Sequence, residues 1–144
     1  MSEIVNCPFC NILKNKEREI LDSRAHTFVI LSNPRLMPGH LLIIPKRHVE
    51  KPSELTTEER FELFDTLIKY QEKILKNVSS GCDISQHCRP FLPQSRLKVD
   101  HVHFHLRPRE FEDELYVKSH IHDKEIFKDL SEEEAEKFKQ IYKM

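Results

Sequence analysis

The chain of 144 residues lacks any surplus of charge: 23 Lys and Arg stand against 24 Asp and Glu, for a formal net charge of −1. Such a balance calls for no nucleic-acid partner, because phosphate-tracking surfaces need a basic excess. Long apolar runs are missing too. The longest, "FVIL" and "LLII", fall far short of the ~20 residues that cross a bilayer, so no membrane partner is expected. The opening "MSEIVNCPFC" has no apolar signal core, which predicts a cytoplasmic protein. No internal repeat or low-complexity block occurs, and the length suits one domain over residues 1–144.

Glycine is scarce, with only Gly39 and Gly81. Gly39 follows Pro38 and opens an apolar run, which suits a turn needing a permissive backbone. Gly81 follows a long helical pattern, where a C-terminal cap is expected. Cysteine is limited to Cys7, Cys10, Cys82 and Cys88. In a reducing compartment a C-x-x-C pair reads as metal or redox chemistry rather than as a disulfide framework.

What is present is enough apolar material for one core: 38% hydrophobic residues beside 33% charged. "HTFVILS" (26–32) and "HLLIIPK" (40–46) read as two strands joined by the turn "NPRLMPG". Thr56 and Glu59 form a capping box. Behind it Phe61, Phe64, Leu67, Ile68, Gln71, Ile74, Leu75 and Val78 recur at helical spacing, predicting an amphipathic helix of about six turns. "CDISQH" (82–87) and "VDHVHFHLRPR" (99–109) are further strands, and "RPFLPQSR" (89–96) is a loop. Ser131 and Glu134 cap a C-terminal helix. The predicted fold class is α+β: a mostly antiparallel sheet, one long helix packed on it and a C-terminal helix. The motifs occupy a core of about 7–109, and residues 110–144 form a C-terminal extension.

Two stretches carry chemistry. In "CPFC" a redox dithiol needs a buried strand ahead of the first cysteine, and only six residues precede Cys7. The other reading is half a zinc site, completed by histidines such as His48 or His101. In "HVHFH" the alternation puts His101, His103 and His105 on one strand face and Val102, Phe104 and Leu106 on the other. That face admits three readings. It is a solvated surface, a metal site, or a nucleophilic centre in which one neutral imidazole attacks phosphorus while a neighbour hydrogen-bonds the phosphate.

"HVHFHLR" resembles the motif of the histidine triad (HIT) family, His-φ-His-φ-His-φ-φ. "MPGHLLIIPKRH" resembles its Pro-Gly-His strand followed by Pro-Lys-x-His, and "CPFC" the Cys-x-x-Cys of zinc-bearing bacterial members, in the family's order. The resemblance implies a nucleotide hydrolase or nucleotidyl transferase acting at an α-phosphate, generally as a homodimer. The substrate would be a nucleoside phosphoester, phosphoramidate or dinucleoside polyphosphate. It implies that His103 is the nucleophile, that His105 contacts phosphate and assists the leaving group, which the site protonates, and that His40 supports the triad. It also implies a structural Zn2+ on Cys7, Cys10, His48 and His101. Most members carry G-Q-[ST]-V before the triad. Here the residues are "RLKV", so Lys98 and Arg96 become the candidate phosphate contacts. Ser32 and Asn33 stand at the ribose-binding position, and Gln86 resembles a phosphate-facing Gln.

The competing readings are a nucleotide-binding or scaffold protein of the same fold with little catalysis, and a zinc hydrolase with metal on His103 and His105. His120 and His122 are expected in a solvated segment.

Overall fold

Strand order β1-β2-β3-β5-β4 defines a five-stranded sheet in which every neighbouring pair is antiparallel. The computed structural model describes residues 7–119 and 126–144; His120 and His122 lie outside the described residues. Contacts divide the chain into two units, Met1–Phe111 and Glu112–Met144. Within the second, α3 (Glu114–Ser119) and α4 (Glu132–Tyr142) form, the latter with the predicted Ser131–Glu134 capping box.

In the first unit the strands are β1 (Asp22–Ser23), β2 (Thr27–Leu31), β3 (Leu41–Pro45), β4 (Gly81–Ser85) and β5 (Phe104–Arg109). The β2–β3 turn contains Gly39 at φ +85°, a left-handed conformation that a side chain resists. Gly81 does not cap the long helix. That helix, α2 (Thr57–Asn77), ends at Val78, and Gly81 begins β4. A Cβ at Gly81 would meet the Arg109 carbonyl at 3.2 Å, so close ladder approach explains the residue.

One sheet face carries Val29, Ile43 and Leu106, which with Val102, ahead of β5, are buried in one cluster with α2. Leu67 and Ile74 join them as the helical period predicts, together with Leu63 and Tyr70. Phe61, Phe64, Ile68, Leu75 and Val78 do not: they stay exposed, Phe61 by 72% and Phe64 by 63%. The helix has two apolar stripes, and one sheet face covers only one of them.

The opposite face packs Phe28, Ile30, Leu42 and Ile44 against α1 (Pro8–Asn15), a helix the sequence pattern did not reveal. Cys7 is its N-cap, accepting from the Cys10 amide at 3.3 Å, and Pro8 occupies the first turn, where its missing N–H costs nothing. The cysteine pair is thus part of a helix start that closes this face.

Candidate functional site

The strand carrying the histidines is shorter than its alternation predicts. Pairing begins at Phe104, not at Val99, because the Val102 amide donates to the Val49 carbonyl at 2.8 Å instead of joining the ladder. Val102 and Leu106 are buried and Phe104 packs on the same core. The three imidazoles therefore diverge.

His101 is 1% exposed and turns toward α1. Its Nε2–H donates to the Pro45 carbonyl at 2.7 Å, which leaves Nδ1 with a free lone pair. That Nδ1 lies 3.3 Å from Cys7 Sγ, 3.6 Å from Cys10 Sγ and 3.1 Å from His48 Nδ1. Cys10 Sγ to His48 Nδ1 is 3.5 Å. A tetrahedron built from Zn–S bonds of about 2.3 Å and Zn–N bonds of about 2.05 Å has S···N edges near ~3.6 Å and an N···N edge near ~3.3 Å. The observed spacings match those edges, and all four ligand atoms lie within 4.8 Å of one another. Burial, then the Cys7 sulfur beside it, pushes the Cys10 thiol up to about 12. A cation held by both sulfurs would reverse that penalty. The donor set fits a closed, structural zinc site with its outer carbonyl in place.

His103 and His105 are not part of this cluster and line both cavities. The His103 Nδ1–H donates to the His101 carbonyl at 2.7 Å, so its Nε2 keeps the lone pair. Phe9, between the two cysteines, meets the His103 ring edge-on at 5.0 Å and the His101 ring at 5.7 Å. His105 is set by a relay. The Leu36 amide donates to His40 Nδ1 at 3.1 Å, which forces the His40 proton onto Nε2. Nε2–H then donates to His105 Nδ1 at 2.9 Å, and the His105 proton must sit on its outward Nε2. Burial, helped by the Arg107 charge, lowers His40 to about 4; burial, with the nearby imidazoles, lowers His105 to about 3. Burial also lowers His103. All three are neutral at pH 7.

Two cavities, about 560 and 440 Å3, meet at His87, His103 and His105. Gln86 and Lys98 line the larger; Ser32, Asn33 and Arg96 line the smaller. Each candidate substrate residue thus borders a cavity that touches the triad. Their polar groups are engaged unequally. Lys98 is ion-paired with Asp100, the Ser32 hydroxyl donates to the Pro34 carbonyl at 2.8 Å, and the Gln86 amide donates to the His87 carbonyl at 2.8 Å. Sequence reasoning missed His87, whose ring stacks on His105 at 5.2 Å, and Arg107, which also lines the smaller cavity. The signal for Arg107 was visible: a charged residue where the triad motif has an apolar one.

A family model for the HIT domain matches residues 14–112. Among curated proteins, the chain is 35% identical over 112 residues to the nitrilase and fragile histidine triad fusion protein of Caenorhabditis elegans, covering 74% of this chain. The chain spans 24% of that relative's length. It is 31% identical over 111 residues to an adenosine 5'-monophosphoramidase of Schizosaccharomyces pombe, covering 76% of this chain and 78% of the relative. A crystal structure of a HIT family protein from Bacillus anthracis superposes with a TM-score of 0.66 at 27% identity, covering 75% of this chain and 76% of that one.

Proposed function

The chain belongs to the HIT family, and on that premise we propose that it is a hydrolase or transferase acting at the α-phosphate of a nucleotide through a covalent nucleotidyl-His103. The substrates considered are nucleoside phosphoesters, phosphoramidates and dinucleoside polyphosphates. One observation carries the reading: hydrogen bonds leave a lone pair on His103 Nε2 and a proton on His105 Nε2, on rings whose centroids lie 5.0 Å apart. The name of the phosphoramidase relative agrees with it.

His103 Nε2 attacks phosphorus. The bond to the leaving oxygen or nitrogen breaks, and its electron pair departs with that atom. His105 is neutral at pH 7, so its Nε2–H gives a hydrogen bond rather than a whole proton; water supplies the proton where the leaving atom needs one. Water then attacks the adduct, regenerating the imidazole and releasing the nucleoside monophosphate and a proton. A donor aimed at the developing charge is commonly worth ~3 kcal/mol. The two cavities meeting at His103 and His105 suit a substrate extending both ways from its reacting phosphorus.

In this reading Cys7, Cys10, His48 and His101 hold a structural Zn2+. Bound by these residues, the ion would tie the α1 start to the segments that follow β3 and precede β5. Those residues place Phe9 against His103. A second copy of the chain is the partner proposed for the exposed stripe Phe61, Phe64 and Ile68 and for the edge strand β4.

The test supplies AMP-phosphoramidate or a dinucleoside triphosphate, labelled in the α-phosphate, to wild type and His103→Ala. Wild type turns over and yields a labelled protein on acid-free quench; H103A does neither. Equal rates in the two proteins would remove His103 as nucleophile.

A further inference from the structure

Two buried polar atoms, Ser85 Oγ and Arg107 Nε, have no hydrogen-bond partner among the described residues. Both flank His105. Ser85 is its direct partner across the β4–β5 ladder, and Arg107 lies two residues along β5 on the same face. A buried donor without an acceptor is destabilising, so an orphan beside a reactive centre calls for an explanation.

Arg107 belongs to the wall of the smaller cavity together with His40, His103 and His105. Its guanidinium lies near enough to His40, His105 and His87 to lower their basicity. The acid opposite it in the ladder, Asp83, is ion-paired with Arg109. Arg18, Arg89 and Arg96 share the cavity wall with only Glu17 to offset them. The wall thus carries an excess of cationic donors. Of the two cations in the "RLKV" segment, Lys98 is held by Asp100, whereas Arg96 lines the same cavity as Arg107.

We propose that Arg107 is a catalytic residue of this site, its guanidinium binding a tetrahedral oxyanion of the substrate beside His105. This rests on the nucleotide reading above and adds a donor from outside the "RLKV" segment. Planar N–H donors match phosphate oxygens and strengthen as charge builds. The oxyanion has two sources, the non-bridging oxygens of the α-phosphate or a charged group in the leaving half of a phosphoanhydride.

The experiment compares wild type, Arg107→Leu and Arg107→Lys, with matched melting temperatures as the control for folding. Affinities for AMP and for ADP are measured by calorimetry. Turnover is measured on AMP-phosphoramidate, whose leaving group is uncharged, and on a dinucleoside triphosphate, whose leaving group is anionic. R107L is expected to lose ~10²- to 10³-fold in kcat/KM, with R107K recovering part of it. Loss on both substrates, with weaker AMP binding, assigns Arg107 to the α-phosphate. Loss confined to the anhydride, with weaker binding of ADP but not AMP, assigns it to the leaving group. R107L equal to wild type in every turnover and affinity overturns the proposal. A wild type that binds AMP and ADP without turning over either substrate defeats the hydrolase reading alone; the two affinities in R107L then decide Arg107.

Discussion

His40 Nε2 lies 2.9 Å from His105 Nδ1, with the two rings tilted by 42°. The contact joins residues 65 positions apart, and its direction is dictated by the Leu36 amide behind it. Through that chain a backbone N–H in the β2–β3 turn decides which nitrogen of His105 carries the proton.

His40→Ala frees His105 to adopt either tautomer. The rate of nucleotidyl-His103 formation should fall ~10- to 100-fold, as for loss of an orienting partner. AMP affinity should change by less than ~3-fold, since no ground-state contact is lost. Rapid-quench single turnover with labelled substrate checks the first and calorimetry the second. An unchanged adduct rate would mean the relay does not matter.

The four-ligand cluster predicts a selective response to mutation. Cys7→Ser or His48→Ala should lower bound zinc severalfold in the purified protein and cost roughly 3 kcal/mol or more of stability. His105→Asn should leave zinc content at wild type, because His105 is not part of the cluster. Elemental analysis beside thermal melts reads both. Equal zinc loss in all three variants would place the ion elsewhere.

Phe64→Glu puts a charge in the exposed stripe of α2, where Phe64 is 63% exposed. If a second copy covers that stripe, the wild type sediments with the mass of two chains and F64E with the mass of one. Its melting temperature should become lower and independent of concentration. A wild-type monomer at micromolar concentration would remove the dimer.

Glu59 is a buried carboxylate that Arg47 binds through Nε at 3.1 Å and Nη2 at 2.8 Å. The Arg47 hydrogen bond, against the opposing effect of burial, holds its pKa down at about 2 from 4.5. A carboxylate with a depressed folded-state pKa stabilises fully above its unfolded value. Stability is therefore lost as pH falls from about 4.5 toward about 2. The loss is at most about 3 to 4 kcal/mol, as one pKa unit is worth ~1.4 kcal/mol. Glu59→Gln should flatten this part of the acid-denaturation curve and lower stability at pH 7. An unaltered acid limb would show that Glu59 does not drive it.

Several features were legible because they depend on neighbours a few residues apart. Thr56 with Glu59 and Ser131 with Glu134 announced two helix starts, since a capping box closes within one turn. Alternation placed Val102 and Leu106 in the core. The Cys7–Cys10 spacing marked two sulfurs of one candidate metal site, because two residues between them put both on one helix start. The motif order pointed to the family.

Other features had no local signature. Periodicity marks apolar positions on α2 but cannot say which stripe meets the sheet; the placement of β3 and β5 chose Leu63, Leu67, Tyr70 and Ile74 and left Phe61 and Phe64 outside. Alternation alone treats His101, His103 and His105 as equivalents. Only the tertiary fold separates them, by setting the Pro45 carbonyl under His101, the His101 carbonyl under His103 and His40 under His105. The sequence by itself determined which groups are available and in what local geometry. The fold decided which lone pairs and protons face the cavity, because each is set by a hydrogen-bond partner distant in the chain or by a local backbone turn.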